Sequence, residues 1–377
     1  MASAAAARHV HIEGLQTALP TRKVEPGRAR PVTVSSPPPL PAAALQRRAR
    51  VVLYYRAAAG AGAGAAWGQE EALLAKESLS EAVADHPEMA GRLRRRADGS
   101  SWEVKLNDTG VRLVLATAEA TVDDFVGAGA GAAGDREAAL APWTDVDAED
   151  PDMCALCFVQ LTRFQGDGGY AVGVSCSLML CDPPSLARFL LSWARTHAEI
   201  RARNKAAPIP MMQYAGYFQR PDTMTRRIKS VPLDTFAGGA AGATETVLFR
   251  AGGAPGGDHR ALARACVDEA SERIGAAKVA RLSLVVVARD GVGGNPRGMT
   301  VETCAAEEDG LPVVVSEGSG YRLEVAQWQD LGLEEFALRE SKPVHVSYSI
   351  VTGGGDEGLV VVVPDGKGFL VTATVPK

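Results

Sequence analysis

Strand-type runs and amphipathic helical segments alternate along this chain, and tracts of alanine and glycine interrupt them. Apolar runs at Val51–Arg56, Cys154–Phe164 and Tyr170–Leu180 predict strands. The segment Gln69–Asp85 repeats its small and apolar residues at helical spacing, which predicts a helix with one buried face. The second half repeats the alternation around a predicted helix at Asp258–Ile274. The pattern therefore predicts an α/β fold of two similar domains, each a mixed β-sheet flanked by helices.

Residues 200–230 separate the two halves. This stretch is basic and weakly periodic, with prolines at 208, 210 and 221. We expect a crossover segment here, between an N-terminal domain at 1–199 and a C-terminal domain at 231–377.

Charge and hydropathy exclude several classes of protein. Forty Lys and Arg against 45 Asp and Glu give a net charge of -5, which does not favour a nucleic acid partner. Every apolar run is shorter than the ~18 residues of a spanning helix, so no direct membrane span is expected. The basic N-terminus lacks an apolar signal-peptide core, which favours a cytoplasmic protein over an imported one.

The six cysteines are expected to be free thiols rather than metal ligands. Cys154 and Cys157 fall in a run of strand composition, where residues three apart point to opposite faces. Cys176 and Cys181 are placed no better if the chain between them is extended, although a loop would change that. We expect no metal site.

The common catalytic motifs are absent. The segment Gly173-Val-Ser-Cys-Ser lacks the second glycine of a hydrolase nucleophile elbow, and no phosphate-binding loop or His-Glu-x-x-His motif occurs. Of the six histidines, His86, His197 and His345 have no adjacent acidic or nucleophilic cluster in the sequence. We interpret them as structural or surface residues.

Three landmarks nevertheless resemble one family. His86–Leu93 reads His-Pro-Glu-Met-Ala-Gly-Arg-Leu and is similar to the Tyr-Pro-x-Leu-Ala-Gly-Arg-Leu signature of the plant BAHD acyl-CoA-dependent acyltransferases. Asn107–Val111 resembles the next landmark, and Tyr170–Trp193 resembles the strand, motif loop and helix around the family's His-x-x-x-Asp-Gly motif. The resemblance implies the two-domain fold of these enzymes, with a channel between the domains.

The motif itself is degenerate. Asp182 occupies the aspartate position, but Leu178 stands at the histidine position and Pro183 replaces the glycine. In the resembled enzymes the histidine takes a proton from an alcohol or amine as it attacks the acyl-CoA thioester. Leucine accepts no proton, and a positioned base contributes about 10²- to 10⁴-fold in rate. We therefore expect no catalytic residue here, Leu178 at the mouth of the channel, and a structural Asp182 that pairs with an arginine.

The second family motif, Asp-Phe-Gly-Trp-Gly, is also missing, because Ala-Leu-Arg-Glu-Ser stands before Lys342. The branch without it that this chain most resembles is the eceriferum or glossy type, and Lys342–Ile350 with Gly355–Pro364 looks like the C-terminal hairpin of that branch. The resemblance implies a non-catalytic accessory of very-long-chain fatty acid elongation in cuticular wax synthesis. Its expected partner is a β-ketoacyl-CoA synthase, through which it would associate with the endoplasmic reticulum.

The same resemblance makes acyl-CoA a possible ligand, with no tightly bound cofactor. Arg226, Arg227 and Lys229 could meet the CoA phosphates at the seam between the domains, or could form a solvated basic loop. Two other functions stay open. One is an active O- or N-acyltransferase that uses another base, and the other is a decayed paralogue, since a helical piece between 306 and 321 looks to be missing.

Overall fold

The computed structural model describes most of the chain. The described residues are 8–25, 27–35, 40, 42–57, 69–96, 101–106, 109–127, 136–206, 228–233, 244–252, 258–289, 296–305, 321–339, 341–354 and 357–377, without the side chains of 205, 206, 296, 304 and 305. The sequence also predicts a strand at Val313–Val315. That segment lies outside these residues, together with the rest of 306–320, most of the crossover, Arg226 and Arg227.

Sixteen strands are found in this part of the chain. In chain order they are β1 His9–Ala18, β2 Ala29–Val34, β3 Arg48–Tyr55, β4 Arg92–Arg95, β5 Trp102–Lys105, β6 Val111–Ala118, β7 Cys157–Phe164, β8 Tyr170–Ser177, β9 Lys229–Pro232, β10 Thr244–Gly252, β11 Arg281–Arg289, β12 Pro296–Ala305, β13 Arg322–Ala326, β14 His345–Val351, β15 Gly358–Asp365 and β16 Gly368–Pro376.

Three long helices and two single turns pack on the strands. They are α1 Ala42–Leu45, α2 Gln69–Asp85, α3 Asp123–Val126, α4 Pro183–Ala206 and α5 His259–Ile274. Short 3-10 turns lie at Pro87–Ala90, Glu137–Ala139, Pro151–Met153, Trp328–Leu331 and Leu333–Glu335. The predicted helices at Gln69–Asp85 and Asp258–Ile274 are confirmed. Asp258 caps α5 by accepting from the Arg260 N–H, and Gly275 ends it with φ 73°.

The strands form two mixed sheets, which confirms the predicted α/β fold. One sheet has seven strands in the order β14-β3-β8-β7-β6-β1-β9, and the other has nine in the order β13-β10-β16-β15-β11-β12-β2-β5-β4. Most neighbours are antiparallel, whereas β6–β7, β11–β15 and β12–β2 are parallel.

Each sheet takes strands from both sides of the predicted crossover. β14 pairs along β3 in the seven-stranded sheet, although it lies far down the chain. In return β2, β5 and β4 extend the nine-stranded sheet beyond β12. The sheets therefore do not follow the two halves of the sequence, and the domain boundaries drawn from the sequence stay a prediction.

Apolar residues recur at helical spacing after Ser185 and predict a helix with one buried stripe, which α4 carries. Leu186, Phe189, Leu190 and Trp193 are at most 1% exposed. They belong to the main core cluster together with residues of α2, the other helix on this side of the seven-stranded sheet. The helix begins directly after β8, so its first turn is held against the end of that strand.

Among the described residues, no helix is both long enough and apolar enough to cross a bilayer.

Candidate functional site

The residues at the degenerate motif form a tight loop between β8 and α4. We call residues 178–182 the motif loop. The N–H groups of Leu180 and Cys181 donate to the Ser177 carbonyl at 2.9 and 3.0 Å, and the Met179 N–H donates to the Ser177 hydroxyl at 3.2 Å. These bonds turn the chain back on itself directly after the strand, which shortens the predicted strand Tyr170–Leu180 to Tyr170–Ser177.

The Asp182 carboxylate contacts an arginine and the first turn of α4. Its carboxylate lies 2.6 Å from Nη2 of Arg289, at the end of β11, and both side chains are at most 5% exposed. The same carboxylate accepts from the Ser185 N–H at 2.9 Å and the Ser185 hydroxyl at 2.8 Å. From the sequence, Ser185 after Asp182-Pro-Pro is expected to cap this helix, and that expectation is wrong. Pro183 already begins the helix and has no N–H to donate, so Asp182 is the residue placed to accept from the first turn.

Leu178 lies in packed core. Its side chain is 1% exposed and belongs to the main apolar cluster, and its N–H donates to the Arg47 carbonyl at 3.0 Å. A small apolar pocket lies next to the motif loop, lined by residues that include Pro183, Trp328 and Tyr348, and Leu178 does not line it. Within the described residues, Leu178 is thus enclosed rather than placed at the mouth of a channel.

The motif loop connects the two sheets. From the nine-stranded sheet, Arg30 of β2 donates to the Leu180 carbonyl, and Arg289 of β11 pairs with Asp182. Arg47, which precedes β3 and bonds the motif loop through its carbonyl, donates from Nη2 to the Ser283 hydroxyl of β11 at 2.8 Å. Arg30 and Arg47 are buried and the Arg289 side chain is 5% exposed, so three arginines in the protein interior hold the loop and the two sheets together.

Arg47 is less well satisfied than Arg289. Its side chain is 4% exposed, and its Nε and Nη1 atoms have no hydrogen-bond partner among the described residues. The Glu357 carboxylate lies 3.9 Å from Nη2. Burial lowers the pKa of Arg47 to about 10, against the opposing effect of Glu357.

The histidines do not supply a base at this loop. The His197 Nδ1 atom lies 2.9 Å from the Ser78 hydroxyl. The rings of His259 and His345 contact Phe369 and Tyr54, with centroids 5.3 and 5.8 Å apart. Within the described residues, none of the three hydrogen-bonds to residues 178–182. Burial lowers the pKa of His197 to about 4, which keeps this imidazole neutral.

The structure does not bring Lys229 to the motif loop. Lys229 is exposed in β9, the outer strand of the seven-stranded sheet, and β1, β6 and β7 lie between it and β8. Four strand spacings amount to about 19 Å. The contact of Lys229 with CoA phosphates at the seam between the domains stays a prediction. Arg226 and Arg227 lie outside the described residues.

The cysteines near the loop are buried and close together. Cys157 pairs across the strands with Cys176, and the Cys176 and Cys181 thiols donate to the carbonyls of Ser177 and Asp182 at 3.8 and 3.4 Å. Cys154 precedes β7, so the predicted strand begins three residues later than expected. All five described cysteines are free thiols, and among the described side chains no group of three or more histidines, cysteines and acids is arranged to hold a metal ion.

Sequence reasoning missed the arginines that hold the motif loop. Arg289 ends a run of apolar strand residues, and an arginine in that setting is a signal of a specific partner. Arg30 and Arg47 lie in short segments of the N-terminal region that have no distinguishing sequence pattern. Their contacts with the motif loop and with β11 form only when the sheets pack together, and a single sequence does not indicate that packing.

Part of this chain matches a known family model. Residues 67–236 match the Transferase family model. This Transferase-family segment contains α2, the motif loop and α4, and it ends beyond β9. The segment is where the resemblance to the BAHD acyltransferases was found, and the match supports that resemblance.

Two curated plant proteins are similar over shorter stretches. Agmatine hydroxycinnamoyltransferase 1 of Oryza sativa subsp. japonica is 32% identical over 144 residues, which are 38% of this chain and 29% of the relative. Protein ECERIFERUM 26-like of Arabidopsis thaliana is 31% identical over 121 residues, which are 30% and 25% of the two chains. The chain therefore matches less than a third of the length of either relative.

Solved structures resemble the whole chain at low identity. Vinorine synthase has a TM-score of 0.47 at 17% identity, over 97% of this chain and 94% of that one. F. graminearum TRI101, solved in complex with coenzyme A and T-2 mycotoxin, has a TM-score of 0.43 at 13% identity, over 88% and 92%.

Proposed function

We propose that this protein is a BAHD-type accessory protein without a catalytic base, which binds acyl-CoA and acts with a β-ketoacyl-CoA synthase in very-long-chain fatty acid elongation. The observation that carries the proposal is the state of the motif loop. Leu178 replaces the base and is enclosed in core, and the Asp182 carboxylate is occupied by Arg289 and Ser185. A loop of this kind holds two sheets together and takes no part in proton transfer.

Similarity to the ECERIFERUM 26-like protein supports the wax branch of this proposal. Such a protein would be cytoplasmic and reach the endoplasmic reticulum through the synthase. The acyl chain would be recognised by binding alone, since binding needs no base.

A second candidate is a working acyltransferase, and the agmatine hydroxycinnamoyltransferase match favours it. In that case a group other than residue 178 would take the proton from an amine or alcohol. A decayed paralogue would show neither binding nor activity.

The first experiment separates these candidates with the purified protein. It is incubated with hydroxycinnamoyl-CoA or long-chain acyl-CoA and a panel of amines and alcohols that includes agmatine, and release of the CoA thiol is followed. The accessory proposal predicts release no faster than in buffer, together with saturable binding of acyl-CoA in calorimetry. Release that scales with protein concentration supports the transferase instead, and absence of both signals supports the decayed paralogue.

The second experiment tests the accessory role in cells. Co-expression with a β-ketoacyl-CoA synthase is expected to shift the acyl products to longer chains. Leu178→Met conserves the core volume and Leu178→His adds a base, so the proposal predicts the same shift for both variants wherever they are folded. A shift that appears only with Leu178→His would contradict a non-catalytic role.

A further inference from the structure

A second cluster of reactive side chains lies far from the motif loop, at the outer edge of the seven-stranded sheet. The His11 Nδ1 atom of β1 lies 2.8 Å from the Ser230 hydroxyl of β9. The His11 Nε2 atom lies 2.9 Å from Oε1 of Glu119, the residue that follows β6. One imidazole thus bridges a hydroxyl and a carboxylate.

The strand register explains why these three residues meet. β1 lies between β6 and β9, and His11 is directly opposite Ser230 in β9 and Thr117 in β6. Glu119 comes two residues after Thr117 and therefore projects from the same face, because side chains alternate along a strand. The Glu119 N–H donates to the His9 carbonyl at 2.9 Å, which continues the pairing of β6 with β1 to this position.

The exposure of the side chains suits their roles, because a nucleophile must be accessible to substrate and its base can be buried behind it. Ser230 is exposed, whereas His11 is 3% exposed. The hydrogen bond from His11 lowers the pKa of Glu119, so this residue is a carboxylate at neutral pH. A carboxylate accepts the Nε2 proton of His11 and leaves the Nδ1 lone pair directed at the Ser230 hydroxyl.

The backbone of β9 adds a possible donor for an oxyanion. The Leu233 N–H donates to the Arg8 carbonyl at 2.8 Å. Since bonded and non-bonded pairs alternate along an antiparallel ladder, the Ser230 N–H points away from β1, towards the outer edge of the sheet. An N–H group in that position can donate to a carbonyl oxygen that Ser230 attacks.

We propose that Ser230, His11 and Glu119 form a nucleophilic site that accepts acyl groups from activated oxygen esters. The Ser230 oxygen bonds to the carbonyl carbon, His11 takes the hydroxyl proton and returns it to the departing alkoxide or phenolate, and the bond to the leaving group breaks. Water then attacks the acyl-serine by the reverse proton path and releases a carboxylic acid. Ser230 and His11 are the catalytic residues, and Glu119 is a positioning residue that acts through His11.

A second pair of serine and histidine in the same chain, Ser78 and His197, serves as a comparison for this site. Ser78 and His197 also approach to 2.9 Å, but both are at most 1% exposed. The Ser78 hydroxyl is 3.0 Å from the Ala75 carbonyl and accepts from the Trp193 indole at 3.0 Å. No acidic residue is recorded against His197 among the described residues. The Ser78 pair therefore lacks both the carboxylate and the access that the Ser230 site has.

The test uses a fluorophosphonate probe, which phosphonylates an activated serine and releases fluoride and a proton. The native protein is treated with the probe, and peptide mass spectrometry locates the label. We expect the label on Ser230, none on Ser78, and loss of labelling after heat denaturation. Nitrophenyl acetate should give a burst of one nitrophenol per chain, with the acetyl group on the same peptide.

Three variants and a control complete the test. Ser230→Ala should abolish labelling, and His11→Gln should slow it by about 100-fold or more. Glu119→Gln should slow labelling while the melting temperature shifts little. Ser35→Ala, at another exposed serine that follows an N-terminal strand, should label like the wild type. Absence of label on Ser230 in the folded wild-type protein, or a labelling rate unchanged in His11→Gln, would overturn the proposal.

Discussion

Replacing Asp182 tests whether the motif loop is a structural tie between the sheets. Asp182→Ala removes the partner of Arg289, whose side chain is 5% exposed, and the acceptor for the first turn of α4. Removing one partner of a buried ion pair costs about 3–5 kcal/mol of unfolding free energy, because the remaining charge stays desolvated. Loss of the helix cap accounts for about 1 kcal/mol of that cost. Asp182→Asn keeps an acceptor for the Ser185 N–H and should be milder by about this amount.

The assay is urea unfolding, followed by circular dichroism and by tryptophan fluorescence so that the two transitions can be compared. Asp123→Ala is the matched control, because its pair with Arg56 joins side chains that are 63% and 56% exposed. An exposed pair contributes about 0–1 kcal/mol. The double variant Asp182→Ala with Arg289→Met removes both charges, and it should be about 0.5–3 kcal/mol more stable than the sum of the single effects.

An Asp182→Ala protein that unfolds at the wild-type urea concentration would refute this reasoning. So would loss of acyl-CoA binding in a variant that remains fully folded, since that result would assign Asp182 to the ligand.

Three further expectations rest on the described side chains. Arg47→Met should change the unfolding free energy by about 1 kcal/mol or less in either direction, because two buried nitrogen atoms of Arg47 have no partner among the described residues. In the same urea assay Arg289→Met should be clearly destabilising, because it leaves the Asp182 carboxylate buried without its partner. The pKa of His197 is lowered from 6.5 to about 4 in the folded state, so the unfolded chain binds more protons and stability should fall as the pH drops from about 6.5 to 4. This contribution is about 3 kcal/mol, and in His197→Gln urea titrations at each pH should show a correspondingly flatter dependence. Burial raises the pKa of the Cys266 thiol to about 12. Cys154 is the one thiol of the five described that is not buried, so among these five it should react first with Ellman's reagent in the folded protein. Mass spectrometry of the first modified peptide checks this order.

Periodicity predicted the long elements well. Helix α2 has the bounds that its pattern predicts, and α5 begins and ends at its capping residues. Strand ends were less predictable: the composition of Tyr170–Leu180 is continuous, but side-chain and backbone bonds to Ser177 end β8 within that run. β12 was not predicted, because Pro296–Ala305 contains glycine, proline and glutamate and gains its strand conformation from β11 and β2.

The site was less predictable than the fold. Leu178 and Asp182 could be named because they lie in one continuous motif. Their arginine partners come from β2, β11 and the turn before β3, and only the packed sheets bring them together. The Ser230 cluster also depends on strand register, since Glu119 and Ser230 lie 108 and 219 positions from His11 along the chain.

The exchange of strands between the sheets has a consequence for synthesis on the ribosome. β3 can pair with β8 well before its other neighbour, β14, is translated, because β14 begins at His345, 168 positions after β8 ends at Ser177. At the usual rates of translation this interval lasts about 8–34 s. Throughout it, the run Arg-Val-Val-Leu-Tyr-Tyr of β3 forms an open sheet edge of the kind that recruits strands from other chains. Aggregation during expression is therefore expected to originate at this edge.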